Sequence, residues 1–171
     1  MTINPSLTTL VAIVLLGGLA PRGTAQQAQF DLHGDYVVGT STHAKSWGGG
    51  LGVQATFGGK SSPININLSP SIDYVKQQHG GPSQTSLTAD VSIQPGGGGS
   101  FTPYVGVSAG SNWSGGDAKQ WNGDRLGLEV LGGAQIKLGS SRASAKAEER
   151  FGYVDGQEHT LTTRLGVLVS Y

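Results

Sequence analysis

The amino-acid sequence predicts an all-β chain: a transmembrane antiparallel up-and-down β-barrel of about eight strands, with its apolar side facing outward. Three observations predict it. Apolar residues alternate with polar residues or Gly along nearly the whole chain, the period-two pattern of half-buried strands. Aromatic residues gather at the ends of those stretches and share the parity of the apolar face. The opposite parity carries Asp31, Asp35, Asp73, Asp90, Glu129, Lys137, Lys146, Glu148, Arg150 and Arg164 among Gly, Ser and Gln.

A leader comes first. Leu10 to Ala20 is an apolar run too short to span a bilayer comfortably, and the small residues Gly23, Thr24 and Ala25 follow it. This predicts a signal peptide over residues 1–25, cleaved after Ala25, and a single barrel domain over 26–171. The segment before the run has no Lys or Arg, so its only positive charge is the terminal amine. Beyond the leader no apolar run reaches the ~18 residues a spanning helix needs, so an integral chain has to cross as strands.

The strands are read in order. The first runs from Gln29 to Thr40, with Phe30, Leu32, Tyr36 and Val38 on one face, and the second from Ser46 to Gly58, with Trp47, Leu51, Val53, Ala55 and Phe57 on one face. The third runs from Ile64 to Lys76, with Pro70 inside it read as the site of a bulge, and the fourth from Thr85 to Gln94. The fifth to eighth run from Phe101 to Trp113, Arg125 to Leu138, Ser141 to Val154 and Glu158 to Tyr171. Gly58 to Pro63, PGGGGS (Pro95 to Ser100) and Gly139-Ser140 read as turns at the periplasmic end. Gln77 to Gln84 and Ser114 to Asp124 read as polar extracellular loops.

Composition agrees. Charged residues make up 13% of the 171, about half the usual globular share, and there are 29 Gly. The 11 basic and 11 acidic side chains cancel, so nothing suggests nucleic acid as a partner. No Cys is present, which removes disulfides, thiolate metal sites and cysteine nucleophiles.

The aromatics separate one barrel type from another. Trp47, Tyr74, Trp113 and Tyr153 fall at the extracellular strand ends, and Phe30, Phe57, Phe101 and Tyr171 at the periplasmic ends. Two aromatic belts bracketing an aliphatic band suit a bilayer. A soluble ligand-holding barrel would turn its apolar face inward and leave the ten charged residues in solvent. One residue departs from the pattern: Glu149 has lipid-facing parity beside Ala147 and Phe151, which implies either a local bulge or a position near the membrane interface.

The stretches FTPYVGVSAG (Phe101 to Gly110), RLGLEVLGGAQIKLG (Arg125 to Gly139) and TRLGVLVSY (Thr163 to Tyr171), in this order, resemble the opacity-protein and OmpA-like family of small outer-membrane barrels. The resemblance covers nearly everything after the leader. It implies a place in the bacterial outer membrane, contact with its lipid, and recognition by the barrel assembly machinery through the last strand ending at Tyr171. No cofactor is implied.

Turn lengths give a register. A tight Gly139-Ser140 turn places Leu138 opposite Ser141, and so Glu129 opposite Arg150. Counting through Asp155 to Gln157 places Glu148 opposite Arg164. Both are expected as structural ion pairs in the lumen, since eight strands leave an interior just wide enough for side chains to fill. Metal-ligand spacing is absent, apart from the inward trio Asp31, His33 and Asp35, which equally suits pairing with Arg164 across the closing seam. The four His, at 33, 43, 79 and 159, form no recognisable catalytic motif, so no catalytic or cofactor-binding residue is assigned. WGGGLG (Trp47 to Gly52) lacks the following helix and Lys of a phosphate-binding loop and reads as close packing inside a narrow barrel.

The expected role is a structural or surface-interaction protein whose polar loops meet partners. The alternatives are a narrow porin-like channel for small solutes or ions and, less favoured, an enzyme acting on lipid A.

Overall fold

The computed structural model describes residues 27–59, 61–78, 83–115, 125–154 and 159–171, with the side chains of 113–115, 125 and 154 outside the description. Eight strands run in chain order: β1 (Gln27–Gly39), β2 (Lys45–Phe57), β3 (Ile64–Gln77), β4 (Ser83–Pro95), β5 (Phe101–Gly115), β6 (Arg125–Lys137), β7 (Ala143–Val154) and β8 (Thr160–Ser170). Each pairs antiparallel with the next, and β8 returns to β1, closing the barrel. The leader lies outside the described residues, as do residues 79–82 and 116–124 of the two expected long loops and residues 155–158, where the connection to the eighth strand and that strand's first residue were expected.

One hydrogen-bonded row of outward residues fixes the geometry of the wall. From Glu149 it runs through Thr163, Tyr36 and Trp47 to Lys76 on β3. In the other direction it runs through Gly132, Val105 and Ile93 to Ile66, also on β3. One circuit therefore returns to β3 ten residues lower, from Lys76 to Ile66. Such a stagger accompanies strands tilted by roughly 35–45° to the barrel axis. Glu149 lies halfway along the row, midway between the two ends of the wall.

The alternation places apolar residues outside and polar residues inside. Leu128 is 53% exposed and Val167 is 40% exposed, and Leu32, Leu51, Ile72, Val107 and Leu165 are exposed beside them. The buried side chains are mostly polar or charged, Asp31, His33, Asp73, Asn67, Glu148, Arg150 and Arg164 among them. A soluble protein cannot afford this inversion, because it leaves the apolar area in water and the charges without it.

Two local expectations are corrected. Pro70 causes no bulge: β3 is continuous, and the β2–β3 register is the same at Gly52↔Ser71 and Ala55↔Leu68 on either side of it. The missing proline N–H interrupts the ladder without adding a residue. Glu149 occupies neither a bulge nor a rim: its register with Gly132 and Thr163 is regular, it is exposed on the outer wall at mid-height, and Thr163 Oγ1 donates to its Oε1 at 2.8 Å.

The β6–β7 hairpin corrects a third. Leu138 N donates to Ala143 O at 3.0 Å, so the turn comprises the four residues 139–142, with Gly139 at φ 61°. Leu131, not Glu129, is therefore opposite Arg150. The slip is two residues, which leaves every side chain on its predicted face.

Candidate functional site

The chemistry of this chain is concentrated in an ionic belt across the middle of the lumen. Inward parity on six strands brings six carboxylates, those of Asp31, Asp35, Asp73, Asp90, Glu129 and Glu148, together with Lys146, Arg150, Arg164 and His33.

Arg150 on β7, 1% exposed, is the hub. Its Nε donates to Glu148 Oε1 at 2.5 Å, its Nη1 to Glu129 Oε2 at 2.9 Å, and its Nη2 to Asp90 Oδ2. Glu129 and Arg150 thus form an ion pair on a diagonal, because a long side chain spans the two-residue offset. Glu148 and Arg164 are directly opposite in register yet are not partners among the described ion pairs. Arg164 turns to the other neighbouring strand, where Nε donates to Asp35 Oδ1 at 2.8 Å, and Nη2 reaches Asp73 Oδ1 at 2.9 Å. Glu148 instead takes Arg150, and accepts from Tyr104 Oη at 2.8 Å, with Lys146 Nζ at 3.5 Å. Within a barrel each inward residue has a neighbour on both sides, and local charge decides which it uses.

His33 links β1 to β3. Its Nδ1 is 3.1 Å from Asp31 Oδ1 and its Nε2 is 2.5 Å from Asp73 Oδ1. Carboxylates only accept, so this is the geometry of a ring carrying two N–H donors. The link bridges β2, whose inward Gly50 leaves the space open: a Cβ there would collide with Asp73 Oδ1 and lie 2.7 Å from His33 Nε2. The WGGGLG stretch is thus the floor on which the ring lies.

Of the trio Asp31, His33 and Asp35, Asp35 pairs with Arg164, and Asp31 with Lys146 Nζ at 3.0 Å. A different trio, His33, Asp35 and Asp73, presents ligand atoms within 4.8 Å of one another. Arg164 holds both of its carboxylates, and a metal ion would have to displace that guanidinium.

Below the belt the lumen is amide-rich, with Lys137 and Arg142 at its periplasmic mouth. Gln135 Nε2 donates to Gln54 Oε1 at 3.2 Å, and Asn67 Nδ2 donates to Gln94 Oε1 at 3.0 Å. Two cavities flank these layers: an extracellular vestibule of about 390 Å³, lined in part by Asp35, Asp73, Glu129, Arg150 and Arg164, and a periplasmic one of about 480 Å³, lined by Gln27, Gln29, Asn65 and Gln135.

Outside, Phe30, Trp47, Tyr74, Phe101, Tyr153 and Tyr171 are exposed and Phe57 is half-buried, while the Trp113 side chain lies outside the description. Phe30 and Tyr171 meet across the closing seam with ring centroids 4.9 Å apart. Tyr36 and Phe151 are further exposed aromatics on the same face.

A closed eight-stranded wall, apolar without and ionic within, has solved counterparts. It is similar to the Neisserial surface protein A (NspA), with a TM-score of 0.65 at 14% identity over 86% of this chain and 99% of that one. The fold is that of the small bacterial outer-membrane barrels. The N-terminal β-barrel domain of Pseudomonas aeruginosa OprF superposes on this outer-membrane barrel with a TM-score of 0.54 at 15% identity, over 86% of this chain and 99% of that one. The outer-membrane enzyme PagL gives 0.50 at 13% identity, over 82% of this chain and 99% of that one. No protein-family model and no curated protein sequence matches the chain. The architecture shared with these barrels is the one that the opacity-protein and OmpA-like resemblance implied.

Tyr104 is the belt residue that sequence reasoning missed. Its inward parity within FTPYVGVSAG was the available signal, but an aromatic in a strand is ordinarily assigned to the apolar side. Cross-barrel partners such as Asp90–Arg150 and Asp73–Arg164 were also missed, because strand parity gives a face and the stagger of the closed wall is needed to give a partner.

Proposed function

We propose that this outer-membrane barrel is a surface-interaction protein: a sealed anchor that holds its extracellular connections at the cell surface. The observation that carries this reading is the belt, where Arg150 and Arg164, both buried, fill the lumen at mid-height. Breaking a buried pair leaves charge uncompensated at a cost of about 3–5 kcal/mol, so the belt holds the lumen shut. The exposed aromatics meet the headgroup level, the aliphatic band between them meets acyl chains, and β8 with Tyr171 is the segment read by the assembly machinery. The surface partner is recognised by the polar segments Gln77 to Gln84 and Ser114 to Asp124. Reconstitution in a planar bilayer tests the seal: the anchor reading predicts no discrete conductance, and unitary steps in the unmodified protein contradict it.

A second reading, a narrow channel for small ions, is favoured by the two vestibules of about 390 and 480 Å³ at opposite ends of the lumen. It requires the belt to rearrange, and it predicts unitary conductance that changes in Arg150→Ala. The enzyme reading draws on the likeness to PagL alone. It has less support from the side chains: His33 has carboxylates at both ring nitrogens, and His159 stacks on the outward Phe151 at 5.5 Å, so neither is placed as the base of a serine nucleophile. Mass analysis of lipid A from expressing cells tests it, and an unaltered lipid A is expected.

A further inference from the structure

The belt does not balance. Among the described side chains of the belt, six carboxylates face Lys146, Arg150, Arg164 and His33, so with His33 counted as a cation the negative charges there exceed the positive by two. In a narrow lumen walled by strands and lipid, such an excess is strongly unfavourable without a counter-ion.

The excess is accessible at one place. The Glu129 side chain is 22% exposed, whereas the other five carboxylate side chains are 6% exposed or less. Its Oε2 accepts from Arg150 Nη1, and its Oε1 accepts no hydrogen bond among the described residues. Directly opposite Glu129 on β5 is Ser108, which lines the same extracellular vestibule and is 3% exposed. The Ser108 hydroxyl is buried with no hydrogen-bond partner among the described residues. A buried hydroxyl and a carboxylate oxygen on facing residues, neither engaged among the described residues, are two oxygens available to ligate a cation. One rung nearer the mouth, Gly110 and Gly127 face each other, so neither β5 nor β6 puts a side chain there.

We infer that the extracellular vestibule holds a hard divalent cation of the calcium class, bound by Glu129 and Ser108 on its inner side and by water on the side of the mouth. Only oxygen is offered, which excludes soft and borderline metals. Oxygens carried by two facing strands at a fixed spacing suit Ca²⁺, whose coordination is flexible at about 2.3–2.6 Å, better than Mg²⁺, which demands a near-ideal octahedron at about 2.0–2.1 Å. The other acidic group, His33, Asp35 and Asp73, is not the site, because Arg164 already occupies it.

Calorimetric titration of the full chain, refolded in detergent and freed of divalent ions, with CaCl2 tests this directly. Saturable binding of one equivalent is expected, with Kd of about 10⁻⁴–10⁻³ M, the range of water-rich extracellular sites. Glu129→Gln is expected to weaken it at least tenfold, Ser108→Ala severalfold, and the lipid-facing Glu149→Gln not at all. Each variant is first shown to be folded by its heat-modifiable gel migration. Absence of saturable Ca²⁺ binding, undiminished binding in folded Glu129→Gln, or Mg²⁺ binding as tight as Ca²⁺ would overturn the assignment.

Discussion

The Tyr104 ring lies over Gly133, directly opposite it in register, and its hydroxyl reaches past the glycine to donate to Glu148 Oε2 at 2.8 Å. A Cβ at Gly133 would stand 2.7 Å from Tyr104 Oη and collide with Ala147 O. The absence of a side chain on β6 is thus what lets a phenol from β5 serve a carboxylate on β7.

Removing the hydroxyl in Tyr104→Phe deprives a buried carboxylate of one donor and is expected to destabilise the barrel by about 1.5–3 kcal/mol. Gly133→Ala forces the ring aside and is expected to cost about 1–3 kcal/mol. Urea unfolding in lipid vesicles, followed by tryptophan fluorescence, checks both. Equal stability of Tyr104→Phe and the parent would contradict this account of the hydroxyl.

Arg150 serves three carboxylates, so Arg150→Ala is expected to cost about 3–5 kcal/mol. A double-mutant cycle separates real partners from register neighbours. Coupling of about 0.5–3 kcal/mol is expected for Glu129 with Arg150 and for Asp35 with Arg164, and less for Glu148 with Arg164, which face each other without pairing.

Gly50, one of the inward glycines of β2, makes its own prediction. Gly50→Val places a branched side chain where His33 and Asp73 meet, and that space cannot be regained by moving a flexible surface group. Loss of the heat-modifiable folded band is expected, whereas Gly97→Ala in the β4–β5 turn, where no atom lies within 4 Å of the added Cβ, is expected to keep it at a modest cost from its φ of 94°.

The outer wall responds with the opposite sign. Glu149 sits at mid-height among lipid-facing neighbours, so Glu149→Leu is expected to stabilise the barrel in vesicles by up to about 2 kcal/mol, and Val130→Arg to destabilise it by about 2–4 kcal/mol. Unfolding free energies in the same lipid check the two signs, and destabilisation by Glu149→Leu would show that the carboxylate has a structural role on that face.

Period-two alternation made the strands legible, and with them the side on which Leu128, Asp31 or Arg150 stands. A closed lumen followed from charges sharing one parity. What the sequence could not supply was the turn after Leu138: two or four residues there give the same faces but different opposites, hence the displaced Glu129–Arg150 register. Nor could it tell which neighbouring strand Arg164 would choose, because Asp35 on β1 and Glu148 on β7 are equally opposite it. The Asp73 carboxylate tips that choice, and it reaches the arginine only across the bare Gly50.

The absence of native Cys permits a direct test of which side is which. Single cysteines at Leu128, Val167, Gln54 and Ser92, spin-labelled in the barrel reconstituted in lipid vesicles, are compared for collision with oxygen and with a water-soluble nickel chelate. Leu128 and Val167 are expected to meet oxygen freely and the chelate hardly at all, while Gln54 and Ser92 are shielded from oxygen in the lipid. Labels at Leu128 and Val167 that meet the chelate as a soluble surface does would contradict the account.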